Sequence, residues 1–118
     1  MPKISKINDE SIEVNGTCLM GTLIATYSQI VSKLGSPGDS FDDYKSDAEW
    51  VIEFEDGTVA TIYNWKDGKN YCGESGLDVS EITEWHVGGK RPHVETWIVD
   101  YIHNSWPVFD DIRQEAQF

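Results

Sequence analysis

The segment spanning residues 48–65, AEWVIEFEDGTVATIYNW, constrains the fold most tightly, because alternating runs on both sides of an Asp-Gly pair leave few alternatives to a β-hairpin. A two-residue turn at Asp56 and Gly57 predicts Glu55 opposite Thr58, Phe54 opposite Val59, Ile52 opposite Thr61 and Trp50 opposite Tyr63. Side chains alternate between the faces of a strand. That register therefore puts Trp50, Ile52, Phe54, Val59, Thr61, Tyr63 and Trp65 on one face, expected to lie on a core. The other face carries Glu49, Glu53 and Glu55, relieved by Val51, Ala60 and Ile62. A carboxylate-lined face of this kind is either simply solvated or presented to a cationic partner.

A chain of 118 residues that is 39% hydrophobic, with five Trp, five Tyr and four Phe, can fill one core and points to one domain. Its 21 acidic residues against nine Lys and Arg give a formal net charge of -12. That balance argues against direct nucleic-acid binding, which needs a basic footprint, and suits a basic partner. Cys18 and Cys72 stand far apart and outside any CxxC spacing, so neither a disulfide framework nor a zinc knuckle follows and a reduced pair is the simpler reading. No apolar run approaches the ~18 residues of a membrane span, and residues 1–10 lack a signal-like stretch, so a cytoplasmic protein with no membrane partner is expected.

Ile12 and Val14 alternate before Asn15-Gly16, with Thr17 and Leu19 following, a pattern that predicts a second hairpin. Thr26 stands three residues before Gln29 in a capping-box arrangement, and Tyr27, Ile30, Val31 and Leu34 repeat at helical spacing up to Gly35 and Pro37. Residues 36–47 have the composition of an acidic loop, and residues 66–80 that of a long polar one. A last strand, EITEWHV, leads through Gly88-Gly89 to Pro92 in the first turn of a helix whose Val94, Trp97, Ile98, Tyr101 and Ile102 form an apolar stripe ending near Asn104. The expected class is α+β: an antiparallel β-sheet built from hairpins, with two helices packed on one face. Residues 1–104 form the domain, and residues 105–118, with Trp106, Val108, Phe109 and Ile112, form a tail that docks on it or makes an interface, so a homo-oligomer is one reading.

Two surfaces are candidates for binding. The first is acidic: Glu49, Glu53 and Glu55 with Asp39, Asp42 and Asp43 of the adjoining loop. The second is a small-anion site at residues 85–93, where glycines after a strand let backbone amides approach a ligand and a helix N-terminus favours negative charge. Its residues are Trp85, His86, Gly88, Gly89, Lys90 and Arg91, with Tyr71 and Trp65 as aromatic neighbours able to stack on a base. A plain structural turn accounts for the same residues. His86, His93 and His103 lack metal-ligand spacing, and no GxSxG, P-loop or EF-hand register is present, so no catalytic residue, metal or cofactor is expected. A metal-dependent hydrolase is the enzymatic alternative.

The series GTLIATYSQIVSKLGSP, AEWVIEFEDGTVATIYNWK and EWHVGG resembles a family of small uncharacterised proteins of tailed bacteriophages, over residues 21–102. The resemblance implies a setting, the host cell, in which small non-structural phage proteins disable or redirect host machinery, including defence systems. It transfers no activity and no site residue. The leading expectation is a non-enzymatic acidic protein that inhibits a host protein with a basic surface, one of anti-phage defence or of nucleic-acid handling. The alternative is sequestration of a small phosphorylated nucleotide signal of host immunity at residues 85–92.

Overall fold

The three central strands follow one another along the chain, whereas the two outer ones come from its beginning. A computed structural model describes residues 2–38 and 47–104. Its strands are β1 (Ile4–Ile7), β2 (Cys18–Ile24), β3 (Glu49–Phe54), β4 (Val59–Tyr63) and β5 (Glu84–Gly89); its helices are α1 (Tyr27–Leu34), α2 (Lys69–Cys72) and α3 (His93–His103). All five strands make one antiparallel sheet in the order β1-β3-β4-β5-β2. The α+β architecture is thus present.

The second hairpin is not. Val14 and Thr17 do close a turn around a left-handed Gly16, but β1 and β2 lie at opposite edges of the sheet and never pair with each other. The partner of β2 is β5, remote in sequence, which local alternation cannot announce.

The central hairpin forms with a register one residue away from expectation. Glu49 faces Tyr63, Trp50 faces Ile62, Val51 faces Thr61, Ile52 faces Ala60 and Glu53 faces Val59. The loop is three residues rather than two. Gly57 N–H donates to the Phe54 carbonyl at 2.9 Å, Phe54 N–H donates to the Thr58 carbonyl at 2.8 Å, and Gly57 takes φ +90°, the geometry of a type I turn closed by a glycine bulge. A one-residue slip turns a whole strand over. Ala60 and Ile62 therefore enter the main core beside Trp50, Ile52 and Phe54, while Val59, Thr61 and Tyr63 join Glu49, Val51 and Glu53 on the opposite face.

The main core lies between the sheet and helices α1 and α3, and contains Leu23, Ile30, Trp50, Ile52, Phe54, Ile62, Trp85, Val87, Val94 and Ile98, all fully buried. The α1 capping box is formed: Gln29 N–H donates to Thr26 Oγ1 and Thr26 N–H donates to Gln29 Oε1. Two indoles hold the ends of that helix. Trp85 Nε1–H donates to the Ala25 carbonyl and Trp50 Nε1–H to the Gly35 carbonyl, each at 2.9 Å, and the two rings meet edge to face with centroids 5.5 Å apart. The segment expected to be one long loop instead contains α2 and two 3₁₀ turns, Gly73–Ser75 and Val79–Glu81. It is tied down by buried Asn64, whose Oδ1 accepts from Asp47 and Ala48 N–H and whose Nδ2 donates to the Asp47 and Asp67 carboxylates.

Along the β2 edge, Gly21 lacks the Cβ that would collide with the Glu95 side chain, and the Glu95 carboxylate passes over it to accept from Thr22 N–H at 3.0 Å. His103, at the other end of α3, bonds the Ile24 carbonyl at 2.7 Å. Edge groups open to another strand are thereby partly occupied.

Candidate functional site

The connection from β1 to β2 has to cross the sheet, and it does so on the face away from α1 and α3. It starts at Asn8, whose φ of 55° is the left-handed conformation that asparagine tolerates better than most residues. Asn8 N–H donates to the Val51 carbonyl, Asn8 Oδ1 accepts from Val51 N–H, and Nδ2 donates to the Ser36 carbonyl at 3.1 Å. One side chain thus ties the crossing segment to β3 and to the chain after α1. Beyond it, Ile12 packs with Val51 and Val59, with Val14 alongside, as a small second core.

Between this segment and β3 lies a groove of about 510 Å³ lined by Asn8, Asp9, Glu10, Ile12, Val14, Gly38 and Val51. Its aliphatic side chains come from Ile12, Val14 and Val51, and its carboxylates, Asp9 and Glu10, are exposed. Ser11 donates to Asp9 Oδ1 through both N–H, at 2.8 Å, and Oγ, at 2.7 Å, which holds the Asp9 carboxyl below its ordinary value. Sequence reading missed this groove. Its signal in the sequence is the alternation of Ile12 and Val14, a pattern that a hairpin strand would also show.

Among the described residues of the expected acidic face, the three glutamates differ in exposure. Glu49 is buried, 7% exposed, in a row with Val51 and Glu53, and its carbonyl accepts from Gly38 N–H. Glu53 is half-buried, and Glu55 sits exposed in the turn, its N–H donating to the Lys3 carbonyl. Asp39, Asp42 and Asp43 lie outside the described residues, as does the tail of residues 105–118.

The small-anion site is dispersed as well. Trp85 is fully buried and Tyr71 lies beyond Trp65 and Lys66, so neither flanks the turn after β5. Gly88 and Gly89 belong to β5, paired with Leu19 and Cys18 on one side and with Thr61 and Ala60 on the other, so their backbone sits in the ladder rather than in a loop. The first amides of α3 are directed inward, Val94 N–H to the Arg91 carbonyl and Glu95 N–H to that of Pro92, and Glu95 places a carboxylate in the first helical turn. Lys90 and Arg91 are exposed beside the β3–β4 turn, where with Asp56, Gly57, Thr58 and Val59 they border a depression of about 250 Å³.

Tyr63 centres a different aromatic group. Its ring meets His86 at 5.4 Å and Trp65 at 6.1 Å, both edge to face, and Lys66 Nζ lies 6.0 Å from the Trp65 ring and 5.5 Å from that of Tyr71. Trp65, 37% exposed, is therefore at the surface rather than in the core. Burial, with the nearby Glu49 carboxylate and Cys18, pushes the Tyr63 hydroxyl above its ordinary value. The histidines stay apart: His86 on Tyr63, His93 against Trp97 and His103 on Ile24. Among the described residues no three metal-ligating side chains come together, Cys18 and Cys72 are exposed free thiols, and no helix is long and apolar enough to cross a membrane. No family model, no curated protein and no solved structure matches the chain.

Proposed function

We propose that the chain is a non-enzymatic, phage-encoded acidic protein that inhibits a host protein by occupying a basic surface used for nucleic acid. The observation that carries this reading is the placement of charge. Among the described Asp and Glu residues Glu49 is buried and Asp47, Glu53, Asp67, Glu95 and Asp100 are half-buried, while the exposed ones lie in the β1–β2 crossing (Asp9, Glu10, Glu13), the β3–β4 turn (Glu55, Asp56) and residues 74–84 (Glu74, Asp78, Glu81, Glu84). With a net charge of -12 behind it, such a surface steers a cationic partner and speeds association, and it does so less as salt shortens the Debye length to about 10 Å at 0.1 M. The test is capture from bacterial lysate on the immobilised chain, with identification of the retained protein. A basic protein that is released by added salt and displaced by duplex DNA is the expected result. Retention of no protein, or retention indifferent to both salt and DNA, overturns the reading.

A further inference from the structure

We propose that the groove between residues 8–14 and β3 is the docking point for the partner, and that it takes a segment with an aliphatic side chain flanked by Lys or Arg. This rests on the reading of the chain as an acidic binding protein and adds where the contact is centred and what it selects. Two independent features of the groove specify that chemistry. Its aliphatic lining comes from Val14, which is half-buried, over Ile12 and Val51, which are buried, and the open groove has a volume of about 510 Å³, the size of a site for a small segment. Asp9 and Glu10 place exposed carboxylates beside that lining; Lys6 stands at the Asp9 end, its Nζ donating to Ser11 Oγ at 2.8 Å, and Glu10 has no such cation among the described lining residues. An apolar anchor inserted between the walls would bring flanking cations within reach of both carboxylates, pairing a desolvated centre with a charged rim. The groove is also held in shape before any partner arrives. Asn8 fixes its start through Val51 and Ser36, Ser11 fixes the Asp9 carboxylate, and Gly38 brings a wall without a side chain close to Asn8.

The probe is a labelled hexapeptide of two leucines flanked on each side by two lysines, titrated into the full chain and read by fluorescence anisotropy. Its control carries glutamates in place of the lysines. Binding of the lysine peptide alone is expected, with affinity lowered about tenfold or more by Glu10→Lys and by Val14→Ser, and within about twofold of the parent for the remote Glu74→Lys and Glu84→Lys. Hydrogen exchange of the parent chain should slow on binding at residues 8–14 and in β3, which tests the location without any variant. Equal weakening by Glu10→Lys and Glu74→Lys, with no local slowing, overturns the groove and leaves the general acidic reading standing. Absence of salt-sensitive binding to the lysine peptide overturns the groove, and the general acidic reading falls only if capture from lysate also fails. A chain that dimerises without peptide, and whose dimer is undone by Val14→Ser, identifies the occupant as a second copy and overturns the proposal.

Discussion

Asn8 is the residue on which the crossing segment turns. It combines a left-handed backbone with acceptance of the Val51 N–H, so two costs separate on mutation. Asn8→Ala should lose about 1–3 kcal/mol from the orphaned amide, with roughly 1 kcal/mol more from placing an ordinary side chain at positive φ. Asn8→Gly keeps the first cost and removes the second. Urea midpoints of the two variants against the parent measure both, and an Ala variant no less stable than the Gly variant would show that the backbone conformation carries no penalty. Nothing in the local sequence marks Asn8, because its partners Ser36 and Val51 are distant along the chain.

At the scale of elements, α1 and α3 were legible because everything that specifies them is local: the Thr26–Gln29 box, the apolar stripe, and the cap residues Gly35 and Asn104. The existence of the β3–β4 hairpin was equally legible. Its register was not, because an Asp-Gly pair suits both a two-residue turn and the end of a three-residue one, and both faces of β4 offer apolar side chains. The observed register makes a direct prediction. Ile62→Ala, at a fully buried position, should cost about 2–5 kcal/mol, whereas Tyr63→Ser, at a half-buried one, should cost clearly less. Thermal unfolding of the pair decides it, and the opposite ranking would restore the two-residue turn. The small-anion site and the exposure of Glu49 were not legible for a related reason. Each was read from neighbours in sequence, while the strand ladder sends Trp85 into the core and keeps Gly88 and Gly89 in the sheet, and Glu49 is buried on the face it shares with Val51 and Glu53.

For the molecule as a whole, pH sensitivity follows from groups whose titration the fold displaces. Tyr63 and Tyr101 are both raised above the ordinary tyrosine value of 10.0, chiefly by burial. The folded state thus holds these protons more tightly than the unfolded one, so their contribution is complete below pH 10 and is lost as pH rises through the displaced values. Unfolding free energy should fall above about pH 10, and the Tyr63→Phe, Tyr101→Phe double variant should flatten that fall; an unchanged slope would refute it. Asp9, Asp56 and Asp78 are lowered, by their bonds to Ser11, Thr58 and Ser80, so what they contribute is present at neutral pH and is lost as pH drops through their depressed values.

The sheet order also dictates a sequence of events in time. Strands β3, β4 and β5 are consecutive, yet β2, made long before β5, has no lane to enter until residues 84–89 exist beside β4. A chain emerging from the ribosome therefore carries its second strand unpaired through the synthesis of some sixty more residues, and pairings across such separations close slowly. In refolding, pulse-labelled amides of the β3–β4 hairpin should gain protection before those of β2; simultaneous protection would mean that the outer lane is laid down together with the centre.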